Sequence, residues 1–376
     1  MPQLDALRGI AAFIVLLHHS YGLTGIVLRT DASLADRFFH TLLHFSPLQA
    51  LRTGRGPVLF FFVLSGFVLT AALLRRGSPG LIAFAAQRSI RLLLPVVASV
   101  LLSFALYHAF ANQALLHAVG SSLWTPAPDA WDALREAALL RTERPDVPAL
   151  NTVLWSLVHE WRLTLLMPLV LLFVGRPWLM LAPSLLCMAL GVLCGAAENE
   201  VHLGPWLHSS LIATLYFAPG IATGAALALA GTLPRLDRLQ RIVAGVTALA
   251  LFGLESDLAA YAASVLLIVL AVQPGRLHEL LGRRPLVWLG RVSFSLYLVH
   301  VPILVATLCA LHGLVPRGVA LGTGMLTALA GAEVMHRLVE RPSRDLAVRA
   351  ERRLARPAPA GRALGAGPAE PLAPER

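Results

Sequence analysis

Apolar runs dominate the chain, and their lengths suit one kind of environment. They lie near 9–28, 56–74, 92–110, 151–174, 178–196, 209–230, 241–254, 258–273, 286–311 and 318–338, separated by polar clusters rich in Arg, Gly and Pro. At 1.5 Å of rise per residue, about 20 apolar residues cross the roughly 30 Å of hydrocarbon in a bilayer. The pattern therefore predicts an all-α, polytopic helical membrane protein with about ten transmembrane helices. The seventh and eighth runs are short, with Glu255 and Asp257 in the polar turn between them. They read either as a hairpin of tilted helices or as one re-entrant stretch. From about residue 343 the apolar period gives way to Arg, Ala, Pro and Gly. This predicts a membrane-embedded domain over 1–342 and a basic, disordered cytoplasmic tail over 343–376, whose Arg side chains suit anionic lipid.

Composition removes the soluble alternatives. Of 376 residues, 57% are hydrophobic and 14% charged, against roughly 25% charged in a typical globular domain. The net charge of +10 is carried by Arg, since the chain has no Lys. In a soluble protein that charge would suggest nucleic acid. Here it follows the bias of basic residues towards cytoplasmic loops, and no nucleic-acid partner is expected. With a cytoplasmic N-terminus, the inner segments hold Arg75, Arg76, Arg88, Arg91, Arg176, Arg235, Arg238, Arg241, Arg276, Arg283 and Arg284. The outer loops hold Asp129, Asp132, Glu136, Glu143, Asp146, Glu198, Glu200, Glu255 and Asp257. Both termini come out cytoplasmic. Only Arg8 precedes the first apolar run and no small-residue cleavage pattern follows it, so no cleavable signal is expected. Cys187, Cys194 and Cys309 sit in apolar runs and read as small buried hydrophobes, with neither a disulfide framework nor a metal site.

Ionisable side chains inside a bilayer cost about 2.5–3.5 kcal/mol or more each near its centre, so each is a candidate for function. The set is His18, His19, His108, His159, Glu160, Arg162, Arg291, His300 and Glu333. His108 and His159 read as packing groups. Measured along their runs, His19 lies ~15 Å, Glu160 ~13 Å and His300 ~20 Å from the entry point, all near the midplane. One depth on three helices suggests one buried site; a polar network that only glues helices together is the competing reading. On the first helix, Arg8 and His19 are about 20° apart on the helical wheel, whereas His18 is about 80° from Arg8 and points elsewhere. Arg88 and Arg91 are neighbours at the predicted start of the third helix. Two guanidinium forks and free N–H groups there would make an anion site suited to phosphates. Plain decoration of a cytoplasmic loop is the alternative.

Taken together, these segments resemble the acyltransferase 3 family of integral-membrane O-acyltransferases. LDALRGIAAFIVLLHHS resembles the family's Arg, ten residues, then His, at Arg8 and His19. FFFVLSGFVL matches FFxLSGF, with Ser65 and Gly66. RSIRLLLP resembles the Arg-x-x-Arg element, at Arg88 and Arg91, with Pro95 one position later than usual. WSLVHE matches WSLxxE, at Trp155, Ser156 and Glu160. GRVSFSLYLVHVP matches SYxxYLxHxP, at Ser293, Tyr297 and His300, with Phe294 departing from the pattern. ERP at Glu340–Pro342 matches the closing Glu-x-Pro element. The resemblance runs from residue 4 to about 344.

It implies an acyl-coenzyme A donor on the cytoplasmic side of a bacterial plasma membrane. The acceptor it implies is a hydroxyl of a cell-surface carbohydrate or glycolipid, with acetyl as the expected group. No permanently bound cofactor and no metal are implied. O-acylation needs a base for the hydroxyl proton, and His is the usual one near neutral pH. His19 is the expected general base, with Glu160 and His300 orienting it or the acceptor. Arg8, Arg88 and Arg91 are expected to bind the donor. An acyl-Ser at Ser65 or Ser156 lacks the neighbouring base that such chemistry needs. The rival class, a transporter or flippase of lipid-linked sugars, should show inverted halves or paired broken helices, and the sequence has neither.

Overall fold

A computed structural model describes residues 2–24, 54–77, 79–140, 146–196, 202–231, 233–254 and 256–355. Among them the regular structure is entirely helical. The elements are α1 (Pro2–Gly22), α2 (Arg55–Arg76), α3 (Leu81–Phe110), α4 (Gln113–Val119), α5 (Ala130–Ala137) and α6 (Leu154–Leu165). Two 3-10 segments follow (Met167–Phe173 and Pro177–Met180), then α7 (Leu181–Leu193), α8 (Leu207–Tyr216) and α9 (Ala218–Leu229). The described residues continue with α10 (Arg238–Phe252), α11 (Asp257–Val272), α12 (Arg276–Leu281), α13 (Arg284–Ala310), α14 (Arg317–Met335), a π-helical turn (His336–Glu340) and α15 (Arg341–Leu354).

Among the described residues, five stretches are long and apolar enough to cross a membrane: Arg55–Arg75, Leu81–Phe110, Leu207–Leu229, Arg284–Ala310 and Arg317–Leu354. α6 and the 3-10 segment after it make a sixth if counted as one span, bent by 50°. The break between the two falls at Leu166, and Pro168, two residues on, lacks the N–H that would bond the Thr164 carbonyl and continue α6. The seventh and eighth runs resolve into separate helices, α10 and α11, packed on each other.

α13 is the centre of the bundle, with 89% of its apolar window buried. α1 lies along it in parallel, because Arg8 meets Ser293 and His19 meets His300 as both chains advance. The two helices cross at Gly9 and Gly290, where a Cβ on either would strike the other's backbone. α2 and α9 cross the same way: a Cβ on Gly66 would meet the Ile221 carbonyl, and one on Gly224 the Val63 carbonyl. Small residues of this kind let membrane helices pack backbone to backbone. Pro302 inside α13 cannot donate to the Leu298 carbonyl, which instead accepts the Asn151 side-chain amide at 2.7 Å. Glu136, read from sequence as a loop acid, is buried and accepts the N–H groups of Leu150 and Asn151 at 2.7 and 2.8 Å. It pins the lead into α6.

Three sequence expectations change. α3 begins at Leu81, not near residue 92, because Gly80 supplies a left-handed φ of 89° and the apolar period of Leu81, Ile82, Ala83 and Phe84 is already helical. Arg88 and Arg91 therefore lie two to three turns inside a helix, and its N-terminal N–H groups contribute nothing there. The expected tail is also shorter: residues 343–354 belong to α15, whose Ser343 and Ala347 bury against its neighbours while its Arg side chains face out. Residues 356–376 of that tail lie outside the described residues. Of the three Cys, only Cys309 is buried; Cys194 is exposed beyond the last turn of α7.

Candidate active site

The sequence-predicted residues separate into two cavities stacked along α1 and α13. The first, of about 140 Å³, is lined by Arg8, Arg88, Arg91, Glu160, Ser293 and Glu340 among others. α1 contributes Arg8, whose Nε donates to Ser293 Oγ at 2.9 Å and whose Nη2 donates to the Gly290 carbonyl at 3.2 Å, with Asp5 at 3.7 Å. α3 contributes Arg88, buried, with Nη2 3.5 Å from Glu160 Oε1 and 3.3 Å from Thr164 Oγ1. Glu160 also accepts from Ser65 Oγ of α2 at 2.7 Å. Two donors are left over. Arg88 Nε is buried without a partner among the described residues, and Arg91, half-buried one turn on, makes no hydrogen bond to any of them. Pro95, four residues after Arg91, removes the helical donor to the Arg91 carbonyl. Glu340, in the π-helical turn, is buried and accepts from Ser295 Oγ at 2.7 Å and His336 Nδ1 at 3.0 Å.

This cavity is less cationic than the sequence implied. Asp5, Glu160 and Glu340 share its wall with the three Arg residues. Arg88 and Arg8 are partly neutralised where they stand, and Arg91 has the guanidinium with no bonded carboxylate among the described residues. An anion entering here meets Arg91 and the bare Nε of Arg88 first.

The second cavity, of about 330 Å³, is lined by His18, His19, Arg55, Trp155, His202 and Asp257 among others. His19 is in the last turn of α1, eleven residues or about 16 Å beyond Arg8. Its ring lies 5.2 Å from that of His300, centre to centre. His300 is fully buried; its Nδ1 donates to the Leu296 carbonyl at 2.9 Å, which fixes the proton on that nitrogen. Its Nε2 is thus a bare lone pair, buried without a partner among the described residues. Arg55 forks both oxygens of Asp257 at 2.7 and 2.6 Å, Tyr216 donates to the same carboxylate at 2.8 Å, and the cation lies 5.4 Å over Phe217.

Val58 and Tyr297 line both cavities and form the wall between them. Tyr297 Oη lies 2.7 Å from Ser156 Oγ and donates to the Val153 carbonyl at 3.1 Å, with the edge of Phe61 against its ring.

The expected single midplane site is therefore divided. His19 and His300 meet, but Glu160 belongs with Arg88, Ser65 and the other arginines. Depth counted from run ends misaligned Glu160 with the histidines, because α1 begins at Pro2, ahead of its apolar run, whereas α6 begins at Leu154, after the start of its own. His18 does not point away from the site: its ring is 5.2 Å from that of His19 and it lines the same cavity. The cavity at the open end of α1 is wide enough to take in both faces. His159 is a packing group, bonded to Thr214 Oγ1 at 2.9 Å and the His202 carbonyl at 2.5 Å. His108 is exposed at the end of α3. Arg291 and Glu333 lie in a surface network with Trp288 and Arg337. Sequence reasoning missed Arg55. Its signal was an Arg at the helix end where acids were expected, on the same side as Asp257.

A family model described as an acyltransferase domain matches residues 1–330. No curated protein and no solved structure matches the chain.

Proposed function

The chain belongs to the acyltransferase 3 family, and from that premise we propose that it is a membrane-bound O-acyltransferase using acyl-coenzyme A. It moves the acyl group, acetyl in the simplest case, to a hydroxyl of a cell-surface carbohydrate or glycolipid. The observation that carries this reading is the pair of back-to-back cavities, one with arginines and one with histidines, that share only the wall at Val58 and Tyr297. A phosphate-bearing donor fits the first, where Arg91 and Arg88 Nε await acceptors. A base and a hydroxyl fit the second.

In this reading the thioester end of the donor reaches past Tyr297 towards His19. His19 takes the proton of the acceptor hydroxyl, whose oxygen bonds to the acyl carbon. The carbon–sulfur bond then breaks, and the thiolate leaves with the proton returned by His19. His300 is a positioning residue: its bare Nε2 can accept the N–H of His19, which would leave the other His19 nitrogen as the base. Glu160 positions Arg88 and takes no proton from the acceptor.

The Arg asymmetry orients the protein. The starts of α1, α3 and α13, and with them the arginine cavity, face the cytoplasm of a bacterial plasma membrane, and the histidine cavity faces the other side. Both termini are cytoplasmic, and about ten crossings follow if α1, α7, α10 and α11 also span. The decisive experiment follows label from acetyl-coenzyme A into membrane-bound acceptor. Wild-type protein should transfer it, and His19→Ala, compared at matched membrane abundance, should lose a factor of about 10²–10⁴. A His19→Ala protein with near wild-type transfer would remove His19 from the mechanism.

A further inference from the structure

The histidine cavity is built with more than a proton acceptor requires. One part of its wall is the half-buried indole of Trp155, set edge-on to His202 at 4.8 Å and tilted against Phe217 at 5.7 Å between ring centres. These contacts fix the plane of the ring. The indole N–H makes no hydrogen bond to a described residue. Another part is Arg55, clamped by both oxygens of Asp257, with Tyr216 on the same carboxylate and Phe217 under the cation. The clamp neutralises the charge and fixes the guanidinium in place.

A flat apolar ring beside rigid, charge-compensated polar groups selects among acceptor chemistries. Among the described residues, an anionic headgroup would find no surplus cation here, unlike the arginine cavity. An alkyl chain would strand the clamped polar groups. A neutral ring with C–H faces and a rim of hydroxyls matches both parts, stacking on the indole and meeting polar groups at its edge. At about 330 Å³ the space falls within the ~300–1,000 Å³ of small-molecule sites.

We propose that this cavity is the acceptor subsite. It takes one sugar ring stacked on Trp155, and the Arg55–Asp257 pair with His202 turns that ring so that one hydroxyl reaches His19. The proposal rests on the acyl-transfer reading above and names where and how its acceptor is bound.

The test uses the full chain in lipid nanodiscs with radiolabelled acetyl-coenzyme A and two kinds of acceptor at equal hydroxyl concentration. One is a set of methyl glycosides of glucose, galactose and mannose. The other is sorbitol, which has hydroxyls but no ring face. The readout is the ratio of ester formed on glycoside to ester formed on sorbitol, which cancels differences in folded protein. Wild type should favour at least one glycoside by about tenfold or more, and Trp155→Leu, which keeps an apolar side chain but no flat face, should abolish most of that ratio. Trp155→Phe should keep most of it. An unchanged ratio in Trp155→Leu, or equal use of glycosides and sorbitol by wild type, overturns the subsite. Release of labelled acetate with ester on neither acceptor also overturns the subsite but leaves acyl transfer standing. Failure to consume the donor at all overturns acyl transfer itself.

Discussion

Removing Arg88 should destabilise the protein because of what it leaves behind. Its side chain is 8% exposed, and its guanidinium lies 3.5 Å from the carboxylate of Glu160, a side chain 19% exposed. At an effective dielectric of about 20, unit charges at that separation attract by about 5 kcal/mol. The desolvation of both groups offsets much of this, so the intact pair contributes little beyond two neutral side chains of the same shape. Taking away one partner is different. Arg88→Met leaves Glu160 largely buried with only the Ser65 hydroxyl as a donor among the described residues, a change that typically costs about 3–5 kcal/mol. Adding Glu160→Gln removes the stranded charge and should restore most of that loss. At on the order of 2 °C per kcal/mol for a large chain, the thermal midpoint in detergent should fall by roughly 6–10 °C in Arg88→Met and recover by more than half in the double variant. Donor binding separates the second role of Arg88: the stabilised double variant should still bind acyl-coenzyme A more weakly, since the bare Nε is gone. Additive losses, with the double variant worse than either single one, would refute the pairing argument. A midpoint unchanged in Arg88→Met would show that Glu160 is solvated well enough not to need it.

Other outcomes follow from the same geometry. Arg91→Ala should raise the KM for acyl-coenzyme A by about 10- to 100-fold, the worth of one charge-assisted hydrogen bond, with kcat little changed, because a phosphate contact is remote from the reacting carbon. Initial rates against donor concentration measure it, and an unchanged KM would show that Arg91 takes no part in donor binding. Truncation after Ala355 should leave transfer and membrane abundance intact, whereas truncation before Ser343 should lower abundance, since it strips α15 from its packing on α3. Quantitative blots of the two truncations, with transfer normalised to abundance, distinguish them.

The fold class was legible because it depends on a sum. Apolar runs of about 20 residues report the bilayer whatever their exact ends, and the six ordered motifs lie on the helices that build both cavities. What the runs could not report was where helices begin. Helix α3 extends eleven residues upstream of its apolar run because Gly80 starts it, and that shift moved Arg88 and Arg91 from a helix terminus to a helix interior. An anion site there would rest on side chains alone. α15 was invisible for a related reason: its outward face is almost all Arg, so the average over the segment reads as solvent although Ser343 and Ala347 are buried.

The division of the site into two cavities was beyond sequence reasoning for a physical reason. Helical spacing gives the angle and height of a residue on its own helix, but partners depend on which helices cross and at what offset. The offset between α1 and α13 is set where Gly9 meets Gly290, and it places Ser293 beside Arg8 and His300 beside His19 in one stroke. A single pair of side-chain-free positions thus fixes the register of both cavities. The Asn151 amide on the carbonyl freed by Pro302 then fixes the third element. It fastens the lead into α6 to α13, next to Tyr297 at the shared wall, so Trp155 and Glu160 take opposite sides of that wall. The two cavities assembled this way share one rigid contact. In the proposed reaction a thioester passing Tyr297 would meet His19, whose height is set by Gly9, ten residues away.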